Sequence, residues 1–284
     1  MKTYLECIPC FLNQALRVMD FEKIDSCTKQ KIFKKILIKL SELDLKNNPP
    51  EFALFIYSII NEEVGNSNFY EKIKKNDTNI ALKLIPEINK ISKKYDDYLN
   101  FLIKIAIAGN IMDFAANPKY NALETIIRSV NSKFAINDYV ILKKEILTAK
   151  TIAYIVDNAG ELVFDKLLIE EISRISNAQI TIFVRSEPII NDVTEKDAKN
   201  LKIDKLPNVK IKKIETIFPF INKSKNLEKE FNAFDLIISK GQANYECLSE
   251  FKGNVYFLLV VKCEVIAKDI GVKKSDFVLF KKNS

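Results

Sequence analysis

Acidic and amide side chains follow two apolar, strand-like segments of the chain. The run DNAGE, with Asp157, Asn158 and Glu161, comes directly after TIAYIV, and Asp192 lies in the loop that follows AQITIFV. Ligand sites in open α/β sheets lie just beyond the carboxyl ends of the strands. Such oxygen ligands suit hard cations such as Mg²⁺ or Mn²⁺, and borderline ions such as Co²⁺ or Ni²⁺ when water completes the set. The spacing therefore predicts a divalent-metal site at Asp157, Asn158 and Asp192.

Two cationic side chains end strand-like segments near these residues. Arg185 follows the second segment, and Lys240 lies in the later run SKGQANYE. A guanidinium can bind phosphate with paired hydrogen bonds, and a turn into a helix after Lys240 can present N–H groups to an anion. Each residue alone has a structural explanation, because Asp157 and Asp192 could cap helices and Lys240 could be a solvated strand end. Their combination at three strand ends favours a phosphate site beside the metal.

Histidine is absent from the chain. Its absence excludes a Ser-His-Asp triad, a Cys-His pair, an imidazole general base and zinc sites with His ligands. Catalysis here would have to use carboxylates, Lys, Cys, Tyr or a metal ion.

The five cysteines include one CxxC pair, Cys7 and Cys10. An odd cysteine count in a cytosolic chain argues against a disulfide framework, and the second close pair of a four-cysteine metal site is missing. The pair therefore has a structural role, or it forms a second metal site or a redox site. Cys263, in the late run VKCEVIA, could approach the pair in space.

The composition is that of a soluble globular protein, with 48% hydrophobic and 29% charged residues in a chain of 284. No stretch approaches the roughly 18 apolar residues of a membrane span, and the N-terminal run MKTYLECIPC lacks the apolar core of a signal peptide. We therefore expect a cytoplasmic protein with no membrane partner. The net charge of +7 comes from dispersed Lys residues rather than clustered Arg. A nucleic-acid partner is therefore not expected.

The hydrophobic period changes near residue 150. Before it, apolar residues recur at helical spacing, and after it short β-rich runs alternate with helices. The predicted helices are 9–20, 26–44, 50–63, 70–93, 96–116, 120–130 and 138–148. The predicted strands are 151–156, 178–184, 208–214, 234–239 and 254–260, with 277–280 as an edge strand.

This order of elements predicts an α/β protein with two domains. A helical N-terminal domain would span 1–148, and an α/β/α domain that binds metal and phosphate would span 149–284. Alternating strands and helices imply a mainly parallel sheet covered on both faces.

The motifs together resemble a known family. The runs ECIPCFLNQAL, AGNIMDF, DNAGE, VRSEPIINDVT, SKGQANYE and VKCEVIA occur in the order seen in the damage-control phosphatases with an ARMT-like domain, also called domain of unknown function 89. The CxxC start resembles the prokaryotic, largely archaeal branch. The resemblance implies a metal-dependent phosphatase acting on small phosphorylated metabolites, such as sugar phosphates or damaged phosphometabolites.

The resemblance also implies roles for particular residues. It places the metal on Asp157, Asn158 and Asp192, and it makes Lys240 a phosphate contact. The expected catalytic residues are Asp157, Asp192 and Lys240. The expected substrate contacts are Arg185, Lys240, Asn110, Asp113, Glu161 and Asn244. Asp157 could attack the phosphate or only bind the metal, and Glu161 or Asp192 could orient a water molecule.

Two residues depart from the family pattern. Ser186 and Ala243 stand where the family usually has Gly. If these positions required a positive φ, each residue would carry strain of roughly 1 kcal/mol or more. The departures would then affect the substrate range more than metal binding.

Two other classes of function remain open at this point. A parallel α/β sheet could hold S-adenosylmethionine, and a carboxyl methyltransferase activity has been proposed for eukaryotic relatives. The chain lacks a Gly-rich loop after the first strand, which argues against that nucleotide-like cofactor. The other alternative is a non-catalytic protein that binds a metal and a phosphometabolite.

Overall fold

The computed structural model describes residues 1–65, 70–111, 122–220 and 223–282. The helices in these ranges are α1 (Cys7–Phe21), α2 (Ser26–Ser41), α3 (Pro49–Val64), α4 (Glu71–Ser92), α5 (Tyr98–Ala108), α6 (Ala122–Asn131), α7 (Tyr139–Thr148), α8 (Leu162–Ile175), α9 (Glu195–Asn200), α10 (Lys225–Asn232), α11 (Gln242–Leu248) and α12 (Glu264–Ile270). The strands are β1 (Ile136–Asn137), β2 (Thr151–Ile155), β3 (Gln179–Val184), β4 (Val209–Lys213), β5 (Leu236–Lys240), β6 (Val255–Val260) and β7 (Phe277–Lys281). None of the helices described is both long and apolar enough to cross a membrane.

Local sequence signals set the helix ends. The Asp25 carboxylate accepts hydrogen bonds from two backbone N–H groups at the start of α2. Asn48 and Glu51 form a reciprocal capping box at the start of α3, and Gly65 ends that helix in the left-handed conformation. The predicted helix 96–116 ends earlier, at Ala108, and continues as a 3₁₀ turn, while positions 112–116 lie outside the described residues.

The sheet has seven strands in the order β1-β7-β6-β5-β2-β3-β4. Every pairing is parallel except that of β6 with β7. A mixed α/β fold with a mainly parallel sheet is therefore confirmed. The prediction of 277–280 as an edge strand was wrong, because Ile136 of β1 pairs with Val278 of β7 and takes the outer position.

Helices cover both faces of the sheet. Side chains alternate along β2, so that Ile152 and Tyr154 enter one core while Ala153 and Ile155 enter the other. Residues of α4 to α9 complete the first core, and residues of α1 to α3 and α10 to α12 complete the second. Helices from the first half of the chain thus pack on both faces, and the division into domains at residue 148 stays a prediction.

The strand order places a crevice at the ends of β2 and β5. The chain runs from β2 outward through β3 and β4, then returns to the other side of β2 with β5 and β6. Ligands of open α/β sheets bind where the strand order reverses in this way. The register pairs Ile155 with Ser239. It therefore brings the residues just beyond these two strands, Asp157 and Gly241, to the same edge.

Candidate active site

Main-chain hydrogen bonds join the two acidic loops. The Val193 N–H donates to the Asp157 carbonyl at 2.8 Å, and the Ala159 N–H donates to the Asn191 carbonyl at 2.9 Å. An antiparallel bridge links Asn158 with Asp192 between these bonds. The structure therefore brings together the three predicted metal ligands, since Asp192 lies 34 positions after the adjacent pair Asp157 and Asn158 in the sequence.

A glycine at the end of β5 makes room for the Asp157 carboxylate. Gly241 has φ 78°, a conformation that L side chains rarely adopt. A Cβ atom there would lie 2.0 Å from Asp157 Oδ2 and 2.3 Å from its Cγ. Both the backbone conformation and the space at position 241 therefore require glycine.

The Arg185 guanidinium lies between the two acidic loops. Its Nε donates to Asp192 Oδ2 at 2.6 Å, and its Nη1 donates to Asn244 Oδ1 at 2.9 Å. Its Nη2 lies 3.7 Å from Asp157 Oδ1 and has no hydrogen-bond partner among the described residues. The guanidinium carbon stacks 4.4 Å from the centre of the Phe218 ring. The side chain is thus fixed on three sides, with one N–H₂ group left for an anion.

Asn244 positions other residues of the site. Its amide nitrogen donates to the Val156 carbonyl at 3.0 Å and to the Lys240 carbonyl at 2.7 Å. Asn244 therefore ties the ends of β2 and β5 together while its oxygen holds Arg185. It is fully buried, and its predicted contact with substrate stays a prediction.

Lys240 is buried beneath the crevice. Its ammonium group donates to the Ala106 carbonyl at 2.9 Å, to Asp165 Oδ1 at 2.7 Å and to the Glu161 carboxylate. An ammonium group has three N–H donors, so these contacts use all of them. Lys240 makes its contacts with the protein interior, and the phosphate contact predicted for it stays untested.

Two members of this buried group, Asp165 and Tyr154, were not predicted from the sequence. Asp165 accepts from Lys240 and also from the Tyr154 hydroxyl, at 2.7 Å in each case. Asp165 is four residues after Glu161, so both carboxylates lie on one face of the chain entering α8. That spacing was the available signal for Asp165. Tyr154 gave none, because its position in the middle of β2 reads as ordinary core.

Asn110 links the buried group to the acidic loops. Its amide nitrogen donates to Asp157 Oδ2 and to Glu161 Oε2, both at 2.8 Å. Its amide oxygen is buried and has no hydrogen-bond partner in the part of the chain that the structure describes. Asn110 therefore lies beside both acidic groups at the end of α5, and its predicted contact with substrate stays a prediction, whereas Asp113 lies outside the described residues.

Burial raises the pKa of the acidic groups here. Burial raises the pKa of Glu161 to about 7, although the charge of Lys240 acts to lower it. Burial likewise raises the pKa of Asp192 to about 6, although the charge of Arg185 acts to lower it. Burial also raises the pKa of Asp165. Burial alone would lower the pKa of Lys240, but Asp165 and Glu161 raise it above its ordinary value. The site thus favours both uptake of protons and the binding of a cation.

The donor set fits a divalent cation. Asp157, Glu161, Asp165 and Asp192 are four buried carboxyl groups, and the cations that form ion pairs with them are Arg185 and Lys240. Within the described ranges no three His, Cys, Asp or Glu side chains form a metal-binding cluster. A cation here would therefore rely on the two Asp carboxylates, the Asn158 amide oxygen and water, which is the sparse protein ligand set typical of Mg²⁺-type sites.

A cleft of about 590 Å³ borders the site. Its lining includes Ser186 and Thr194, which flank the Arg185 and Asp192 loop, and Lys74, whose charge lowers the pKa of Asp192. Most of the other lining residues are Lys, Glu and Asp. The cleft is therefore polar, and Asp157, Asn158 and Asp192 are not among its lining residues.

The expected strain at the two departures from the family pattern does not arise. Neither Ser186 nor Ala243 has a positive φ. The residue with a positive φ in this loop is Ile190, at 46°. A β-branched residue in that region is an outlier, and such strain tends to occur near functional sites.

The CxxC pair lies at the start of α1. Cys7 is partly buried and Cys10 is exposed, and both are free thiols. The hydrogen bonds and ion pairs of the described residues include none that joins either thiol to Asp157, Asn158 or Asp192. A second metal or redox role for the pair stays a prediction.

The fold and these loops define an α/β protein with an acidic site at the point where the strand order reverses. The model of the damage-control phosphatase ARMT1-like domain matches residues 3–278. The chain therefore belongs to this family.

Individual relatives resemble nearly the whole chain. A damage-control phosphatase from Pyrococcus horikoshii is 32% identical over 284 residues, which cover 98% of this chain and 97% of the relative. A damage-control phosphatase from Archaeoglobus fulgidus is 32% identical over 233 residues, or 80% of each chain. The crystal structure of a DUF89 family protein from Pyrococcus horikoshii covers 100% of both chains at 30% identity, with a TM-score of 0.89.

Proposed function

We propose that the protein is a metal-dependent phosphatase that hydrolyses phosphate monoesters of small metabolites, such as sugar phosphates or damaged phosphometabolites. Membership of the damage-control phosphatase family makes it an enzyme and a phosphatase. The metal, the residue roles and the range of metabolites are the parts that we propose. One observation supports the proposed metal and residue roles: the two acidic loops lie side by side next to Arg185, and Arg185 Nη2 has no hydrogen-bond partner among the described residues.

Asp157, Asn158 and Asp192 would hold the cation. The two loops that carry them are joined by main-chain hydrogen bonds, which support the proposal because they hold the backbones of the three residues side by side. When bound, a divalent ion such as Mn²⁺, Mg²⁺, Co²⁺ or Ni²⁺ neutralises phosphate charge and makes a nucleophile available at neutral pH.

Arg185 would bind a phosphate oxygen through Nη2. Its other nitrogens are held by Asp192 and Asn244, and Phe218 supports the plane of the guanidinium. A guanidinium fixed in this way needs little reorganisation when charge develops on the transferring phosphoryl group. Because Nη2 also lies near Asp157 Oδ1, a phosphate bound there would lie beside the Asp157 carboxylate.

Asp157 would act either as the attacking carboxylate or as a ligand only. Borohydride reduction of the rapidly quenched protein distinguishes the two roles. Direct attack forms an aspartyl phosphate at Asp157, which borohydride reduces to homoserine, whereas attack by water leaves the Asp157 carboxylate free and unreduced.

Lys240, Glu161 and Asp165 would form the support beneath the site. Glu161 is joined to Asp157 through the Asn110 amide, and Lys240 holds the Glu161 carboxylate in place. Because all three side chains are almost completely buried, we assign them to positioning rather than to direct contact with substrate.

The test is phosphate release from a panel of sugar phosphates and p-nitrophenyl phosphate by metal-stripped protein. Each candidate ion is added back separately, and Asp157→Ala is compared with Glu228→Gln, which removes an exposed carboxylate on α10. We expect ion-dependent release that is lost in Asp157→Ala and unchanged in Glu228→Gln.

Two other results would change the assignment. Full activity in Asp157→Ala would exclude this site. If no ion supports release, stabilisation of the protein by a sugar phosphate would favour a binding protein, and stabilisation by S-adenosylmethionine would favour a methyltransferase. The cytoplasmic location and the absence of a nucleic-acid partner belong to the proposal and rest on the composition.

A further inference from the structure

Cys7 and Cys10 have a spacing that a disulfide can bridge. Cys7 is the first residue of α1, and Cys10 follows three positions later in the same helix. The rise and radius of an α-helix place Cα atoms at this spacing about 5 Å apart. Disulfides join residues whose Cα atoms lie roughly 4.4–6.8 Å apart. The Cα spacing of the pair therefore lies within the range that a disulfide spans, and a local adjustment of the first turn of α1 would bring the Cβ atoms close enough for the bond.

A third thiol lies beside the pair. Cys263 precedes α12, and its sulfur accepts a hydrogen bond from the Gln242 amide at 3.6 Å. Cys7 and Cys263 border the same hydrophobic core. Cys263 and Glu246 each act electrostatically on both Cys7 and Cys10, which places the three sulfur atoms in one neighbourhood.

The structure narrows the roles that the sequence left open for the pair. In the described ranges these thiols do not form a preassembled metal cluster with each other or with Glu246. Cys10 is exposed, which a purely structural thiol would not require. A redox role agrees with both observations, because it needs one accessible sulfur and one neighbouring sulfur within reach.

We propose that Cys7 and Cys10 form a thiol–disulfide exchange site that reacts with low-molecular-weight disulfides. The exposed Cys10 thiolate attacks one sulfur of the small disulfide, forms a mixed disulfide and releases the first small thiolate. The Cys7 thiolate then attacks the Cys10 sulfur, closes the Cys7–Cys10 bond and releases the second. The two protons lost by the protein thiols pass to the released thiolates, so one small disulfide is reduced to two thiols while one protein disulfide forms.

The charge around the pair sets the conditions for the reaction. Burial raises the pKa of both thiols, and Glu246 and Cys263 raise it further, whereas Arg17 lowers the pKa of Cys10. Because the thiolate is the nucleophile, exchange should be faster in mildly alkaline buffer than at neutral pH. The measurement is therefore made at about pH 8.5, where ordinary thiols are half ionised.

The experiment treats the reduced full-length protein with oxidised glutathione and counts the free thiols after denaturation. Peptide mapping then identifies the bonded residues. We expect a bond between Cys7 and Cys10, so the count of five falls by two, and it falls by one more where glutathione also adds to the exposed Cys27. Cys7→Ser should instead retain one glutathione on Cys10, because the second attack is no longer available.

Matched variants separate this site from general thiol oxidation. Cys263→Ser and Cys27→Ser should still form the Cys7–Cys10 bond, because neither contributes a sulfur to it. A count that stays at five in the wild-type protein would overturn the proposal. A disulfide that joins any other pair would overturn it as well. None of these readouts depends on phosphatase activity.

Discussion

Replacing Lys240 with Met tests whether this residue supports the site from below or contacts phosphate. Met keeps the length and the apolar stem of the side chain but removes the ammonium group. In the wild-type protein that group lies between the Glu161 and Asp165 carboxylates, and all three side chains are almost completely buried. The substitution therefore leaves two buried carboxyl groups without their cation.

The magnitude follows from this geometry. Removing one partner of a buried ion pair costs about 3–5 kcal/mol, because the remaining charge is buried without compensation. For a chain of this size, 1 kcal/mol corresponds to about 2–4 °C in Tm. We therefore expect the melting temperature of Lys240→Met to fall by roughly 10 °C.

The loss should depend on pH in a defined direction. Without Lys240, the pKa values of Glu161 and Asp165 rise further above their unfolded values, so the folded state takes up protons that the unfolded state does not. Stability is then retained at low pH and lost as the pH rises through the folded pKa values. The difference between variant and wild type should accordingly be larger at pH 8 than at pH 5.

Urea unfolding of metal-free protein at the two pH values gives the free energies. Lys104→Met is the control, because the Lys104 ammonium donates to the Val130 and Ser132 carbonyls and the structure gives it no carboxylate partner among the described residues. It should lose about 1–3 kcal/mol, and the loss should be the same at both pH values because no carboxylate is left without its cation. If Lys240→Met keeps wild-type stability at pH 8 but loses kcat/KM, the support role is refuted and Lys240 is a phosphate contact.

Three further variants test neighbouring features. Gly241→Ala should abolish phosphatase activity, because the added Cβ would collide with the Asp157 side chain. The control Gly271→Ala, at φ 82° with open space around it, should lower the free energy of unfolding in urea by about 1–2 kcal/mol and keep the wild-type kcat/KM. Equal activity in the two variants would contradict the close packing at Gly241. Metal-free wild-type protein should lose stability between pH 4.5 and 7, where Glu161, Asp165 and Asp192 hold protons in the folded state that the unfolded chain has released. Glu161→Gln should reduce that loss by about 3 kcal/mol at most, because Asp165 and Asp192 still contribute to it. Arg185→Lys should lower kcat/KM by about 10²-fold or more, which is the effect expected when a contact to the transition state is lost. An unchanged kcat/KM would exclude Nη2 as a phosphate ligand.

The sequence was sufficient for features that depend on local pattern. The β-branched runs that became β2, β3 and β6 are bounded by turn residues, and acidic residues at strand ends converge in any parallel sheet. This is why Asp157 and Asp192 could be placed together before the structure was known. Helix caps such as Asp25 were readable for the same reason.

Features that depend on distant pairing were not readable. The strand β1 has two residues, too few to show a period, and its partner β7 lies about 140 positions later. Lys240 ends a strand, and its sequence position does not tell whether the side chain enters the crevice or passes beneath it. The Tyr154–Asp165–Lys240 contacts decide that question, and they join three separate elements.

The main-chain bonds between the two acidic loops have a consequence for the choice of ion. They fix the separation of the Asp157 and Asp192 backbones, so the opening between the carboxylates cannot widen easily to suit a larger ion. Ca²⁺ takes 6–8 oxygen ligands at about 2.3–2.6 Å, whereas Mg²⁺ requires about 2.0–2.1 Å and retains water. If both carboxylates bind the cation directly, this peptide frame would favour the smaller Mg²⁺ over Ca²⁺.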